Sequence, residues 1–321
     1  MLLEIAVGDA YGACFEGCDK TYVSEKNTLE NYVFDYYLPS LVKPGCYTDD
    51  TQMSLAVAEA MLDETETWTT ESLADRFVQS FQRDQRRGYT TFFLNALLNS
   101  DCGTVLLSKI NGKSNKSGAA MRSGVLGLIP DIAELKEKCI AQCNVTHDSL
   151  IGRASALCAA LMTHYFYYDL GPKEELVKWL RSGHFYEDQL SFKYLVHGKK
   201  GFTLVEGVET HDGRKRTVNK EYSIWNPKSG HVRVFAWDVV EAAIYAIEEH
   251  NSLKKILKQC VDYCGDTDTS AAVAMAAASC CKQIKSDLPP KLIDNLENKT
   301  YGKGYLLELD EKLAAKYPRK L

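Results

Sequence analysis

"CGDTDTSAAVAMAAAS", residues 264–279, decides how the chain is read. Gly265 marks a turn, and Asp266, Asp268 and Thr269 follow it. From Ser270 to Cys281 almost every residue is Ala, Val, Met or Cys. A helix that is apolar on every side has no solvent face, so it belongs inside a helical body. Far upstream, "KPGCYTDDTQMSLAVAEAML" at 43–62 repeats the design. Asp49 and Asp50 stand between Thr48 and Thr51, and an apolar small-residue run follows at once.

Asp and Thr are good helix N-caps, and acids suit the positive end of the helix dipole. A cap needs one side chain, however, and each cluster offers three polar ones. Carboxylates at a buried helix mouth repel each other and lose hydration. If the two clusters met, cations would have to balance them. Asp and Thr oxygens, with no thiolate or imidazole at ligand spacing, suit hard ions such as Mg²⁺, Mn²⁺ or Ca²⁺.

Helical spacing dominates the remaining text, and the fold class it predicts is all-α. Apolar positions at i, i+3 and i+4 run through Gln52–Leu62. Thr70 reads as the cap of a helix from Glu71 to Arg83. Further helices are predicted over 91–98, 118–128, 148–168, 237–250 and 305–317. The stretch 185–234 is different. "FTLVEGVETHDGRKRTVNKEYSIW" is β-like, with Asp212-Gly213 as a hairpin signal. It carries Lys199, Lys200, Arg214, Lys215, Arg216 and Lys220 around that text; these could meet phosphates or a protein target, but charge runs of this kind are most simply a solvated loop.

The 321 residues allow one large domain or two modest ones, and the formal net charge is −5. That balance gives no electrostatic reason to expect nucleic acid or an anionic membrane as partner. No basic leader precedes a cleavage pattern, and no apolar run approaches the ~18 residues of a membrane span. Eleven cysteines, an odd number, argue for reduced thiols and a cytoplasmic setting. "GKS" at 112–114 hints at a phosphate loop, but Leu107 stands where its first glycine would be. Ser117, Gly118 and Ala119 do open a small-residue run in which backbone N–H groups could approach a phosphate.

Five blocks occur in an order that resembles the ADP-ribosylglycohydrolase family. They are "AVGDAYGACFEG" (6–17), "YTDDTQMSLAVAEAML" (47–62), "GAAMRSGVLGL" (118–128), "THDSLIGRASALCAAL" (146–161) and "GDTDTSAAVAMAA" (265–277). The resemblance implies an all-α domain spanning 1–321, with 185–234 as an atypical insertion. It implies a binuclear Mg²⁺ site, with Mn²⁺ as a substitute, held by Thr48, Asp49, Asp50, Asp266, Asp268 and Thr269. Glu16, Asp49 and Asp50 are the implied catalytic carboxylates. Ser117, Gly118, Ala119, His147 and Tyr89 are the implied ligand-cleft residues, although the stretch before "AMR", where relatives usually carry an Asn, has Ser117 and Ala119 here. The expected activity is hydrolysis of the glycosidic bond between ADP-ribose and a modified protein side chain, with arginine preferred. An ADP-ribosylated protein or a small ADP-ribose compound is the expected partner, and the expected state is a monomer. The alternative is an ADP-ribose- or toxin-binding protein of immunity type that uses the cleft without turnover.

Overall fold

The computed structural model describes residues 1–34, 43–182, 225, 227 and 230–319, and the backbone of strands at 195–198 and 201–204. The described residues are mostly helical. In chain order the helices are α1 (Leu2–Gly12), α2 (Lys20–Lys26), α3 (Asp49–Leu62), α4 (Thr70–Arg83), α5 (Thr91–Leu98), α6 (Gly103–Lys109) and α7 (Ile132–Asn144). They continue as α8 (Leu150–Tyr167), α9 (Leu176–Arg181), α10 (Ala236–Glu249), α11 (Leu253–Asp262), α12 (Thr267–Ala278), α13 (Pro290–Asp294) and α14 (Lys303–Lys316). The strands β1 (Leu195–Gly198) and β2 (Gly201–Leu204) pair antiparallel, with Leu195 opposite Leu204. The Asp212-Gly213 turn and the basic residues Lys199, Lys200, Arg214, Lys215, Arg216 and Lys220 lie outside the described residues.

The Ala-rich helix is the centre of the body. Every residue of α12 is buried, and α1, α3, α8, α10 and α11 all pack against it. Its small side chains let neighbours come close. A Cβ at Gly8 of α1 would lie 3.0 Å from the Ala271 carbonyl oxygen, and one at Gly12 would lie 2.6 Å from that of Thr267. Only glycine fits such an approach of two backbones. The Thr267 hydroxyl closes the contact by donating to the Gly12 carbonyl at 2.8 Å.

Three sequence expectations need correction. First, α3 and α12 each begin three residues earlier than the apolar pattern suggests, at Asp49 and Thr267. Asp49, Asp50 and Asp268 therefore sit in first helical turns, where the dipole favours negative charge. Second, α4 is capped by Thr69, not Thr70, in a reciprocal box with Ser72. Third, 118–128 is not one helix. It forms short 3₁₀ turns at Ser117–Ala119 and Gly124–Leu128. A Cβ at Gly124 would lie 2.6 Å from the Ala276 Cβ, and one at Gly127 would lie 2.5 Å from the Thr163 Cβ, so packing against α12 and α8 sets this path rather than helix propensity.

All eleven cysteines are free, and most are buried. Among the described residues, no grouping able to hold a metal contains one. No helix among the described residues is long and apolar enough to cross a membrane.

Candidate metal centre and ligand cleft

Carboxylates converge from α1, α3 and the start of α12. Oxygens of Asp9, Asp50 and Asp268 lie within 4.8 Å of one another, and so do oxygens of Glu16, Asp266 and Asp268. Asp268 belongs to both groupings. Asp9, Asp50, Asp266 and Asp268 are buried, Asp49 is half-buried and Glu16 is exposed at the mouth.

Capping alone does not account for the cluster. Thr48 is the N-cap of α3, yet its side chain makes no capping hydrogen bond. The Thr48 hydroxyl donates to Asp9 Oδ1 at 2.7 Å, and the Thr51 hydroxyl donates to Asp9 Oδ2 at 2.5 Å. The backbone N–H groups of Thr48 and Thr51 add two more donors to Asp9. Asp9 thereby pins the first acidic turn. Asp266 accepts from the Ser117 hydroxyl at 3.0 Å. Asp50 Oδ1 is buried with no hydrogen-bond partner.

Electrostatics agree with an unbalanced cluster. Burial first, then the charges of Asp9 and Glu16, pushes Asp49 well above the usual carboxylate range. Asp50 rises through burial and then through Asp9 and Asp49. Asp268 rises through burial and then through Glu16 and Asp50. Burial also raises Asp9 and Asp266, with hydrogen bonds from Thr51 and Thr48 opposing at Asp9 and from Thr269 and Ser117 at Asp266. Such a set is costly unless protons or cations enter it. The donors are all oxygen, and Asp50 carries an orphaned buried atom, so the residues fit hard divalent ions.

The cluster floors a cavity of about 460 Å³. Glu16, Asp49, Asp50, Asp266, Asp268 and Thr269 line it, and so do Lys113, Lys116, Ser117, Gly118, Arg122 and His147. One cavity thus holds both an acidic cluster and cationic side chains, and Ser117 touches the acids directly through Asp266. Two expected residues lie off its surface. Thr48 is buried behind the acids, and Ala119 is fully buried with its carbonyl accepting from Ser123. Tyr89 reaches the cavity wall but is mostly core. Its ring meets Phe81 edge-on at 5.6 Å, and its hydroxyl donates to Gln52 at 2.6 Å. The exposed aromatic of the lining is Phe92, 64% exposed, which the sequence reading did not single out.

Asp9 was also missed, although an acid inside the apolar run "LLEIAVGDAYG" was the available signal. Gly88 has φ +105°, and a Cβ there would lie 1.8 Å from Asp49 Oδ1. Asp49 also donates its N–H to the Arg87 carbonyl at 2.9 Å. Gly88→Ala should therefore displace the Asp49 carboxylate and weaken divalent-ion affinity about 10–100-fold, the range seen when supports of metal ligands are lost. A Mg²⁺ titration followed by thermal melting checks this. An unchanged affinity would mean that Asp49 is not a ligand.

The segment entering α10 holds the second acidic turn and the small-residue turn side by side. Asp266 donates its N–H to the Val232 carbonyl at 2.8 Å, and Ser117 donates its own to the Val234 carbonyl at 3.1 Å. The end of the 185–234 stretch is thus a strap across the second acidic turn and the small-residue turn.

A family model for ADP-ribosylglycohydrolase matches residues 1–320. The chain is 28% identical to the ADP-ribosylhydrolase ARH3 of Xenopus tropicalis, over 86% of this chain and 84% of that protein. It is 24% identical to the ADP-ribosyl-[dinitrogen reductase] glycohydrolase of Rhodospirillum rubrum, over 92% and 89% of the two chains. A solved structure of an "ADP-ribosylglycohydrolase-related protein complex" superposes with a TM-score of 0.67 at 19% identity, covering 100% of this chain and 96% of that one, which shows a shared fold. The all-α architecture agrees, and with a family match across nearly its whole length the chain belongs to the ADP-ribosylglycohydrolase family.

Proposed function

We propose that the protein is a Mg²⁺-dependent hydrolase that cleaves the glycosidic bond between ADP-ribose and a modified protein side chain, with arginine the preferred linkage. The observation that carries this reading is a single cavity lined both by the acidic cluster and by Lys113, Lys116 and Arg122. A ligand that joins a polyhydroxyl sugar to a diphosphate matches that mixed lining. The same reading takes residues 1–321 as one domain acting as a monomer in the cytoplasm.

Asp49, Asp50, Asp266, Asp268, Thr48 and Thr269 would hold the ions, with Asp9 bracing the first three. Such ions supply charge balance, a grip on vicinal hydroxyls and a lowered water pKa. The chain's own groups do the rest. Glu16, exposed at the mouth, gives a proton to the leaving side chain as its bond to C1″ breaks. Asp50 Oδ1, which no other group occupies, takes the proton of the water that adds to C1″. One water is consumed, and free ADP-ribose and the unmodified side chain result. Lys113, Lys116, His147 and the turn at 117–118 face the diphosphate, and the open face of Phe92 offers adenine a stacking surface.

The test is release of ADP-ribose from defined arginine- and serine-linked substrates at increasing Mg²⁺. Tight binding without release, unchanged in Asp268→Ala, would favour the binding-protein alternative. Glu16→Gln is expected to lower kcat by about 10²-fold or more, the usual worth of a general acid, while substrate affinity stays near wild type. Unchanged turnover would remove Glu16 from the mechanism.

A further inference from the structure

We infer that Arg122 and Thr146 are positioning residues that lock His147 as its Nε2–H tautomer, a donor committed to an acceptor oxygen of the ligand. The inference rests on the proposed ADP-ribose reading for the ligand's identity, but the tautomer itself follows from hydrogen bonds within the protein.

Arg122 is 1% exposed and has only donors to offer. Its Nε donates to Gln142 Oε1 at 2.6 Å, and its Nη1 to the Gly118 carbonyl at 2.7 Å. Its Nη2 donates to the Gln142 carbonyl at 2.9 Å and to Thr146 Oγ1 at 2.8 Å. Thr146 Oγ1 also lies 2.6 Å from His147 Nδ1. The arginine takes one lone pair of that hydroxyl. Among the described residues, His147 Nδ1 is the remaining partner within reach of the hydroxyl's own hydrogen. The hydroxyl therefore donates, and Nδ1 accepts. At 2.6 Å the contact is also shorter than the ~2.7–3.2 Å usual for an N–H donor to oxygen.

An accepting Nδ1 puts the proton on Nε2. That atom is buried without a partner, while the ring is 7% exposed and lines the cavity. Burial, helped by the charges of Arg122 and Lys116, holds the imidazole well below its ordinary pKa, so the ring is neutral and the tautomer matters. Gly118 completes the seat. A Cβ there would lie 2.9 Å from His147 Cε1 and 3.3 Å from Nε2. One guanidinium thus fixes both the glycine that edges the ring and the hydroxyl that sets its proton.

The experiment is ¹⁵N NMR of histidine-labelled, unliganded protein, with the His147 signals assigned by His147→Gln. Wild type should show Nδ1 unprotonated and Nε2 protonated. Thr146→Val should populate the other tautomer, and Thr146→Ser should restore the first. With ADP-ribose as probe, Thr146→Val should weaken binding roughly tenfold, the worth of one buried hydrogen bond, and raise KM more than it lowers kcat. Wild type carrying the proton on Nδ1, or a Thr146→Val spectrum like wild type, overturns the inference. Should the valine variant not fold, the wild-type and serine spectra still decide. If the spectra come out as expected but wild type does not bind ADP-ribose, the positioning role stands and the proposed function falls.

Discussion

Asp268→Asn is expected to lower turnover by about 10³-fold or more, to abolish thermal stabilisation by Mg²⁺, and to make the metal-free protein more stable than wild type. The three effects have one cause. Asp268 is the carboxylate shared by both acidic groupings, so neither keeps its set without it. A divalent clamp on a reacting centre contributes several kcal/mol, and about 4 kcal/mol corresponds to ~10³ in rate. Asparagine keeps the shape of the side chain, and the Thr269 N–H that donates to Asp268 Oδ1 keeps an acceptor. It removes the charge that faces Glu16 and Asp50 across a buried space. Melting curves with and without Mg²⁺, beside a turnover assay, read all three effects. Turnover within tenfold of wild type would sink the metal reading.

Metal removal should give the protein an unusual pH dependence. The folded pKa values of Asp49, Asp50, Asp266 and Asp268 are raised above their unfolded values. The folded chain then binds more protons than the unfolded one, and stability falls as pH rises. In chelator, the loss should begin near the unfolded value of about pH 4 and continue through the raised folded values. His147, held neutral by burial, works the other way below about pH 6.5, but it is one group against the cluster. Mg²⁺ replaces the protons, so its apparent affinity should grow with pH. At 100 times Kd the ion contributes about 2.7 kcal/mol, or roughly 4 °C in Tm for a chain of this size. That rise should appear at pH 8 and shrink at pH 5.5. A chelated protein that melts higher at pH 8 than at pH 5.5, with no response to Mg²⁺, would contradict the assignment.

The acids were legible because they break a pattern. Asp49, Asp50, Asp266 and Asp268 are charged residues at the mouths of apolar runs, and a one-dimensional text shows such a contrast well. What it hid were features that exist only across space. Asp9 reads as a blemish in an apolar helix until four donors of the Thr48–Thr51 turn are seen around it. Gly88 reads as a break until its missing Cβ proves to be room for Asp49. Residues 118–128 have helical spacing, but the demands of Ala276 and Thr163 for close contact outweigh it. Tyr89 and Phe92 are equivalent as letters. Only the fold turns one toward Gln52 and leaves the other open to the cleft.

The contact between Gly12 and Thr267 joins residues 255 positions apart. A ribosome adding about 5–20 residues per second would need roughly 10–50 s to deliver the second after the first. For that interval α1 has emerged without the helix it packs against, and half of the acidic cluster has no counterpart. The nascent chain therefore cannot assemble the ion site in stages. Binding arrives as one late event in synthesis, and translation that stops before about residue 268 yields a product with greasy helices, unmatched acids and no catalyst.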